Sequence, residues 1–185
     1  IALFWSDDPG VTATPPGQAL VPHVIATAAG QALANRLKDG MSVGVGWGRT
    51  LRLSLRTVPR MSMPNLSVVS LLGGLTRSSA MNPHETASHL ADLLDAQCYL
   101  IAAPALTDSA ATRDGLMGQA MLKEVFDKGA KVDVAFLSVG ELTASNTMLS
   151  VGLISADDVR SLEKAGAVGN ICVYWIDDLG RIVDH

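Results

Sequence analysis

The chain is short of aromatic rings and short of charge. Phe, Trp and Tyr make up 4% of 185 residues and Asp, Glu, Lys and Arg 17%, against a hydrophobic share of 48%. So few charges mean that much of the chain is buried, and so few rings exclude an aromatic core; Ala, Val and Leu must fill it. There is no run of basic residues and the net charge is -4. That excludes a nucleic-acid-binding surface on this chain, because contact with phosphates depends on clustered Lys and Arg. Only two cysteines occur, Cys98 in "QCYLIA" and Cys172 in "NICVYWI". Both sit in apolar, strand-like runs and read as buried, reduced thiols of a cytoplasmic protein, not as a disulfide or a metal pair. The histidines His23, His84, His89 and His185 show no metal-ligand spacing beyond the five-residue gap between His84 and His89. No metal and no cofactor is expected. No uninterrupted apolar segment reaches membrane-spanning length, so no membrane partner is expected. No signal peptide is expected; the chain begins at Ile1 rather than Met, which leaves room for an upstream part.

What is present is an alternation of apolar runs and helical patterns within a length that suits one domain, residues 1–185. "IALFW" reads as a strand and "SDDPGVTATPPG" as a turn region. An Ala-rich helix spans about 18–37, strand "MSVGVG" follows, and "RTLRLSLRTV" is a helix ending before Pro59. "LSVVSLL" is a strand that stops at Gly73-Gly74. Asn82, Pro83 and Glu85 mark a helix start, and that helix runs to about Asp95. Then come strand "AQCYLIAA", a helix over about 110–128, strand "VDVAFLSVG" and a polar loop over 141–151. A helix capped at Ser155 and stopped at Gly166 leads to a last strand, "NICVYWI". This order predicts an α/β fold: a doubly wound, mostly parallel, Rossmann-like sheet with helices on both faces.

In such folds ligands bind at the carboxyl ends of the strands. "VGVGWGRTL" (Val43 to Leu51) lies at one. Gly46 and Gly48 would let backbone approach an anion, the first-turn amides of the next helix would point at it, and Arg49 and Thr50 add a cation and a hydroxyl. Phosphate suits that chemistry. The stretch is not a Walker A loop, since no Gly-Lys-Ser/Thr follows, and its glycines are spaced one residue short of a dinucleotide fingerprint. A plain tight turn explains the same glycines. Gly73-Gly74, "VGEL" (Val139 to Leu142) and "GAVGN" (Gly166 to Asn170) place more glycines beside strand ends, which together suggest a small-molecule pocket. Trp47 invites a role in sugar stacking, although packing is the commoner use of such a tryptophan.

"LKDGMSVGVGWGRTL", "SVVSLLGG", "AAPALTDSAATRDGLM", "VDVAFLSVGEL" and "EKAGAVGNICVYWIDDLGRIV", in this order and spacing, resemble the effector-binding domain of SorC/DeoR-type sugar-responsive transcriptional regulators. The likeness runs from about Val24 to Val183. It implies a fold related to sugar-phosphate isomerases and CoA transferases. It also implies a phosphorylated sugar as effector, assembly as a dimer or tetramer, and DNA binding through an amino-terminal helix-turn-helix absent from this chain. The chain is then expected to be a fragment of a longer regulator, without the distal segment that helps complete the family's pocket. Position by position, the resemblance implies that Gly46, Gly48, Arg49 and Thr50 hold the phosphate, Gly73 and Gly74 edge the pocket, and Gly169 and Asn170 lie near the sugar hydroxyls. Two positions depart: the family usually has Asp where Asn170 stands, and a glycine where Glu141 stands. The alternative is a sugar-phosphate isomerase or CoA-transferase-like enzyme of the same fold, with Glu141 as base or nucleophile. No partnered acid or lysine accompanies Glu141 in the sequence, so binding without catalysis is the preferred expectation.

Overall fold

The computed structural model describes residues 15–76, 82–143 and 146–184. The strand expected for "IALFW" lies outside them. Helix α1 spans Pro15–Ala34, strand β1 Ser42–Val45 and helix α2 Arg49–Ser54, which tightens into a 3-10 turn over Leu55–Thr57 before Pro59. Strand β2 covers Ser67–Gly74, helix α3 Pro83–Leu94 and strand β3 Gln97–Pro104. These three strands, with β4 at Val134–Phe136, form one parallel sheet in the order β3-β2-β1-β4.

Period-two alternation along β2 separates the two faces of this sheet. Val68 joins Val43 and Val45 in a buried cluster with Leu33 within α1 and Leu37 after it, Leu51 and Leu55 around α2, and Leu90 and Leu94 of α3. Val69 and Leu71 point the other way, toward Gly129 at the end of helix α5 (Ala120–Gly129). Helices thus cover both faces. On the first face α1 comes close to the 3-10 turn because Gly30 has no side chain: a Cβ there would lie 2.1 Å from the Ser54 carbonyl oxygen.

Four element expectations change. The helix foreseen over 110–128 is two helices, α4 (Ala110–Met117) and α5, broken at Gly118 and Gln119. Neither buries a residue fully, and Met121 is 84% exposed. The polar loop over 141–151 contains a one-turn helix, α6 (Thr147–Ser150), because the Asn146 side chain accepts hydrogen bonds from the Met148 and Leu149 amides. The strand "VDVAFLSVG" breaks at Leu137 and Ser138 into β4 and β5 (Val139–Glu141), which belong to different sheets.

The second sheet is antiparallel, in the order β5-β6-β7, with β6 at Gly169–Ile171 and β7 at Tyr174–Ile176. "NICVYWI" is therefore a hairpin, not one strand. Cys172 (φ 47) and Val173 (φ 63) both take left-handed backbone, the pattern of a two-residue type I′ turn. Such turns favour Asn-Gly; a β-branched residue at positive φ is an outlier, and each strained residue costs about 1–3 kcal/mol. Helix α7 (Ala156–Lys164) follows expectation, with a capping box between Ser155 and Asp158 and a glycine stop at Gly166, φ +89. The two cysteines are free thiols. Cys98, expected buried, is exposed because β3 is an edge strand, and Cys172 is half-buried.

Candidate functional site

The loop from Gly46 to Thr50 is stitched to the β4–β5 junction. The Gly46 amide donates to the Phe136 carbonyl at 3.0 Å, extending the β1–β4 ladder by one bond, and Ser138 Oγ donates to the Trp47 carbonyl at 2.5 Å. Gly48 then takes φ +128, and a Cβ on it would lie 2.5 Å from Ser138 Oγ. Only glycine satisfies both constraints. With the chain so placed, α2 starts at Arg49 and no side chain caps it. Its first backbone bond runs from the Arg52 amide to the Gly48 carbonyl, so the amides of Arg49, Thr50 and Leu51 have no partner inside the helix. Arg49 is exposed and makes no ion pair with a described residue.

These residues form one wall of an open cleft of about 220 Å³. Trp47 lies at its base, only 6% exposed, in a cluster with Leu72 and Met148. The facing wall is Ser138 to Glu141, continued by Thr143 and by Asn146 to Met148. Asn146 is buried and fully engaged: its amide nitrogen donates to the Glu141 carbonyl and its oxygen caps α6. Glu141 itself is exposed.

Asn170 differs from the other buried polar residues. It is 5% exposed, lines the cleft, and its side chain makes no hydrogen bond to a described residue. Its amide lies flat on Gly140, where a Cβ would be 2.7 Å from Nδ2. No buried side-chain nitrogen or oxygen of a described residue lacks a partner, so the polar atoms of Asn170 are open to the cleft, where a ligand hydroxyl or carbonyl could bond them. Among the described residues the cleft thus offers the Arg49 cation, free helix amides, hydroxyls and an open side-chain amide, which is the chemistry for an anionic polyol. Among the described residues no group of three or more His, Cys, Asp or Glu could hold a metal ion.

The family model described as "Putative sugar-binding domain" matches residues 11–185. The chain belongs to the sugar-binding domain family of SorC/DeoR-type regulators. Among curated relatives of this family, the erythritol catabolism regulatory protein EryD of Brucella abortus is 30% identical over 143 residues, covering 77% of this chain and 45% of that protein. The sorbitol operon regulator of Klebsiella pneumoniae is 28% identical over 162 residues, 84% of this chain and 50% of that protein. The chain spans about half the length of the curated relatives it matches. Solved structures share the fold. A DeoR family transcriptional regulator from Listeria monocytogenes superposes with a TM-score of 0.81 at 22% identity, over 89% of this chain and 64% of that one. Full-length SorC from Klebsiella pneumoniae gives 0.76 at 22% identity, over 87% and 53%.

Of the residues that the family resemblance or the glycine pattern singled out, the structure brings Trp47, Gly48, Arg49, Thr50, Glu141 and Asn170 to one cleft. Gly46 stands just behind it, 3.1 Å from Leu137 Cδ2 at the position a Cβ would take. Gly169 pairs with Glu141, and a Cβ on it would approach the Gly140 carbonyl oxygen to 2.6 Å. Gly73 and Gly74 end β2 at the same carboxyl edge but face its other neighbour. Their bare backbone lies against Ala103 and Pro104 of β3 and the His84 ring, and they are not among the residues lining this cleft. Sequence reasoning missed Ser138, Thr143, Asn146, Thr147 and Met148. "SNTML" did carry a signal, an Asn before a short apolar run in the manner of a helix cap.

Proposed function

We propose that this chain is the effector-sensing part of a longer transcriptional regulator and that its effector is a phosphorylated sugar. The observation that carries the reading is the pairing across one cleft of the uncapped first turn of α2, with Arg49 and Thr50, and the Asn170 amide, which is open to the cleft. The phosphate would lie on the α2 amides with Arg49 beside it, and a hydroxyl of the sugar would meet Asn170. Regulators of erythritol catabolism and of a sorbitol operon among the relatives support a polyol-derived ligand. Binding would favour one arrangement of homo-oligomeric subunits over another, and a separate helix-turn-helix would pass that bias to an operator in the cytoplasm. Among the described residues, Glu141 and Arg49 are the ionisable side chains lining the cleft. Proton transfer between sugar carbons needs an acid and a base in register, and an arginine serves poorly as either, so the geometry supports binding without turnover.

A thermal-shift panel of sugar and polyol phosphates beside their unphosphorylated parents tests this. A ligand at 100 times its Kd should add about 2.7 kcal/mol of stability. At least one phosphorylated member is expected to stabilise the protein while its parent does not, and Thr50→Ala should weaken that ligand about tenfold. Equal stabilisation by parent sugars, or chemical turnover of any member, would overturn the proposal.

A further inference from the structure

The strained hairpin tip touches the proposed site from two directions. Asn170 pairs with Gly140 on one side and Trp175 on the other, and Ile171 pairs with Tyr174. A two-residue turn leaves that register no freedom, and a slip by one residue would carry Asn170 to the opposite face of the sheet. The turn therefore sets which face the amide of Asn170 occupies, against the one neighbour, Gly140, that lacks a side chain there. From below, Cys172 and Val173 pack on the cluster of Trp47, Leu72 and Met148. Cys172 Sγ stands 3.5 Å from where a Cβ of Gly46 would be, directly behind the Gly46–Thr50 loop. Residues that suit the backbone, Asn and Gly, would give up this apolar contact. The strained choice keeps it.

We propose that Cys172 and Val173 are positioning residues for the cleft: their strained turn braces the Trp47 loop and fixes Asn170 in register. This rests on the effector reading above only for the ligand, not for the mechanical coupling.

Val173→Gly tests the packing, since it keeps a turn whose backbone suits glycine and removes the apolar side chain. Hydrogen exchange then reads the loop without any ligand. The amides of Gly46 and Arg52, protected by the Phe136 and Gly48 carbonyls, are expected to exchange about tenfold faster, with amides of β2 and α3 unchanged. Val173→Ile, which keeps a branched apolar side chain, should hold the loop within about threefold of the parent. Unchanged loop exchange in Val173→Gly, or equal acceleration throughout β2 and α3, would overturn the proposal. If Val173→Gly does not fold, Cys172→Ala is judged by the same criteria, with a smaller acceleration of about threefold. The phosphorylated sugar that most stabilises the parent should bind Val173→Gly about tenfold more weakly. Failure of every sugar phosphate to bind the parent would sink the effector reading while leaving the exchange result to decide the coupling.

Discussion

Residues 42–136 and residues 139–176 each form a sheet, but the two sheets bury their strands to different degrees. In the parallel sheet Val43, Val45, Val68 and Val69 are all fully buried, and thirteen residues form one continuous cluster. In the antiparallel sheet Val139 and Tyr174 are each 62% exposed, and the nearby core is two small clusters, around Leu162 and around Trp47. The cleft takes a wall from each. The parallel sheet supplies the loop that holds its shape through packing beneath it. The antiparallel sheet supplies Glu141 and Asn170 through strand register and caps, which depend on a few hydrogen bonds and one strained turn. A site built this way has one wall fixed by the core and one that local openings can move.

The largest test of that contrast is a pair of cavities. Leu90 is completely buried in the large cluster and Leu162 is 1% exposed in the small one. Leu90→Ala should cost about 4–5 kcal/mol, near the top of the range for buried leucines, because its helix packs across β1, β2 and β3 and the strands cannot relax into the gap. Leu162→Ala should cost about 2–3 kcal/mol, because a small cluster at the edge of the fold can collapse or admit water. Denaturant unfolding followed by far-UV circular dichroism measures both. Equal costs would remove the contrast.

How much of this was legible in the sequence divides along the same line. The parallel sheet announced itself. Val43 to Val45 and Val68 to Leu72 are apolar runs ended by glycines, and Asn82-Pro83 and Ser155 carry cap chemistry that the structure shows bonded. The antiparallel sheet was hidden because its punctuation is missing. "VAFLSVG" has no Pro, Asn or Asp and only a lone Ser at its break, yet the chain leaves one sheet and enters another at Leu137–Ser138, where Ser138 bonds Trp47 across 91 positions of sequence. "NICVYWI" reads as a strand for the same reason, since a Cys-Val pair gives no sign of left-handed backbone. In the cleft, glycines were visible and their use was not. Gly48 and Gly73 look alike in sequence, but one opens toward the cleft and the other admits the backbone of β3.

Gly48→Ala tests the junction where the two walls meet. It forces an L side chain to φ +128 and drives a Cβ to 2.5 Å from Ser138 Oγ. The expected cost is about 2–3 kcal/mol, less than the Leu90 cavity. Adding Ser138→Gly should recover the steric part, leaving about 1–2 kcal/mol of backbone strain. Additive losses in the double variant would show that Ser138 does not press on this loop, and the stitch between the walls would have to be sought elsewhere.

The smallest effect concerns acid, and beside each sheet lies an aspartate held by backbone donors. Asp133 accepts from the Ser42 amide at 2.7 Å and from Ser42 Oγ at 2.8 Å, joining the start of β4 to the start of β1. Asp177 accepts from the amides of Arg181 and Leu179 beyond β7. Backbone donation, from Ser42 to one and Arg181 to the other, holds both carboxyls below the usual aspartate value. A lowered folded value gives stabilisation that is complete above the unfolded pKa of about 3.9 and is lost as pH falls through the folded one. Asp133 is solvent-exposed and Asp177 is half-buried near the surface, so the loss is small and belongs below about pH 4. The sheets should nevertheless respond differently. Protonating Asp133 loosens a ladder of the main sheet and lowers the global unfolding midpoint, whereas protonating Asp177 frees only the turn before Ile182. Hydrogen exchange between pH 3 and 5, compared for Asp133→Asn and Asp177→Asn, separates them: the first should flatten the acid dependence of β1 and β4 amides, the second only that of the Arg181 amide. Acid dependence of β1 that survives in Asp133→Asn would mean that another group sets the acid limit of the parallel sheet.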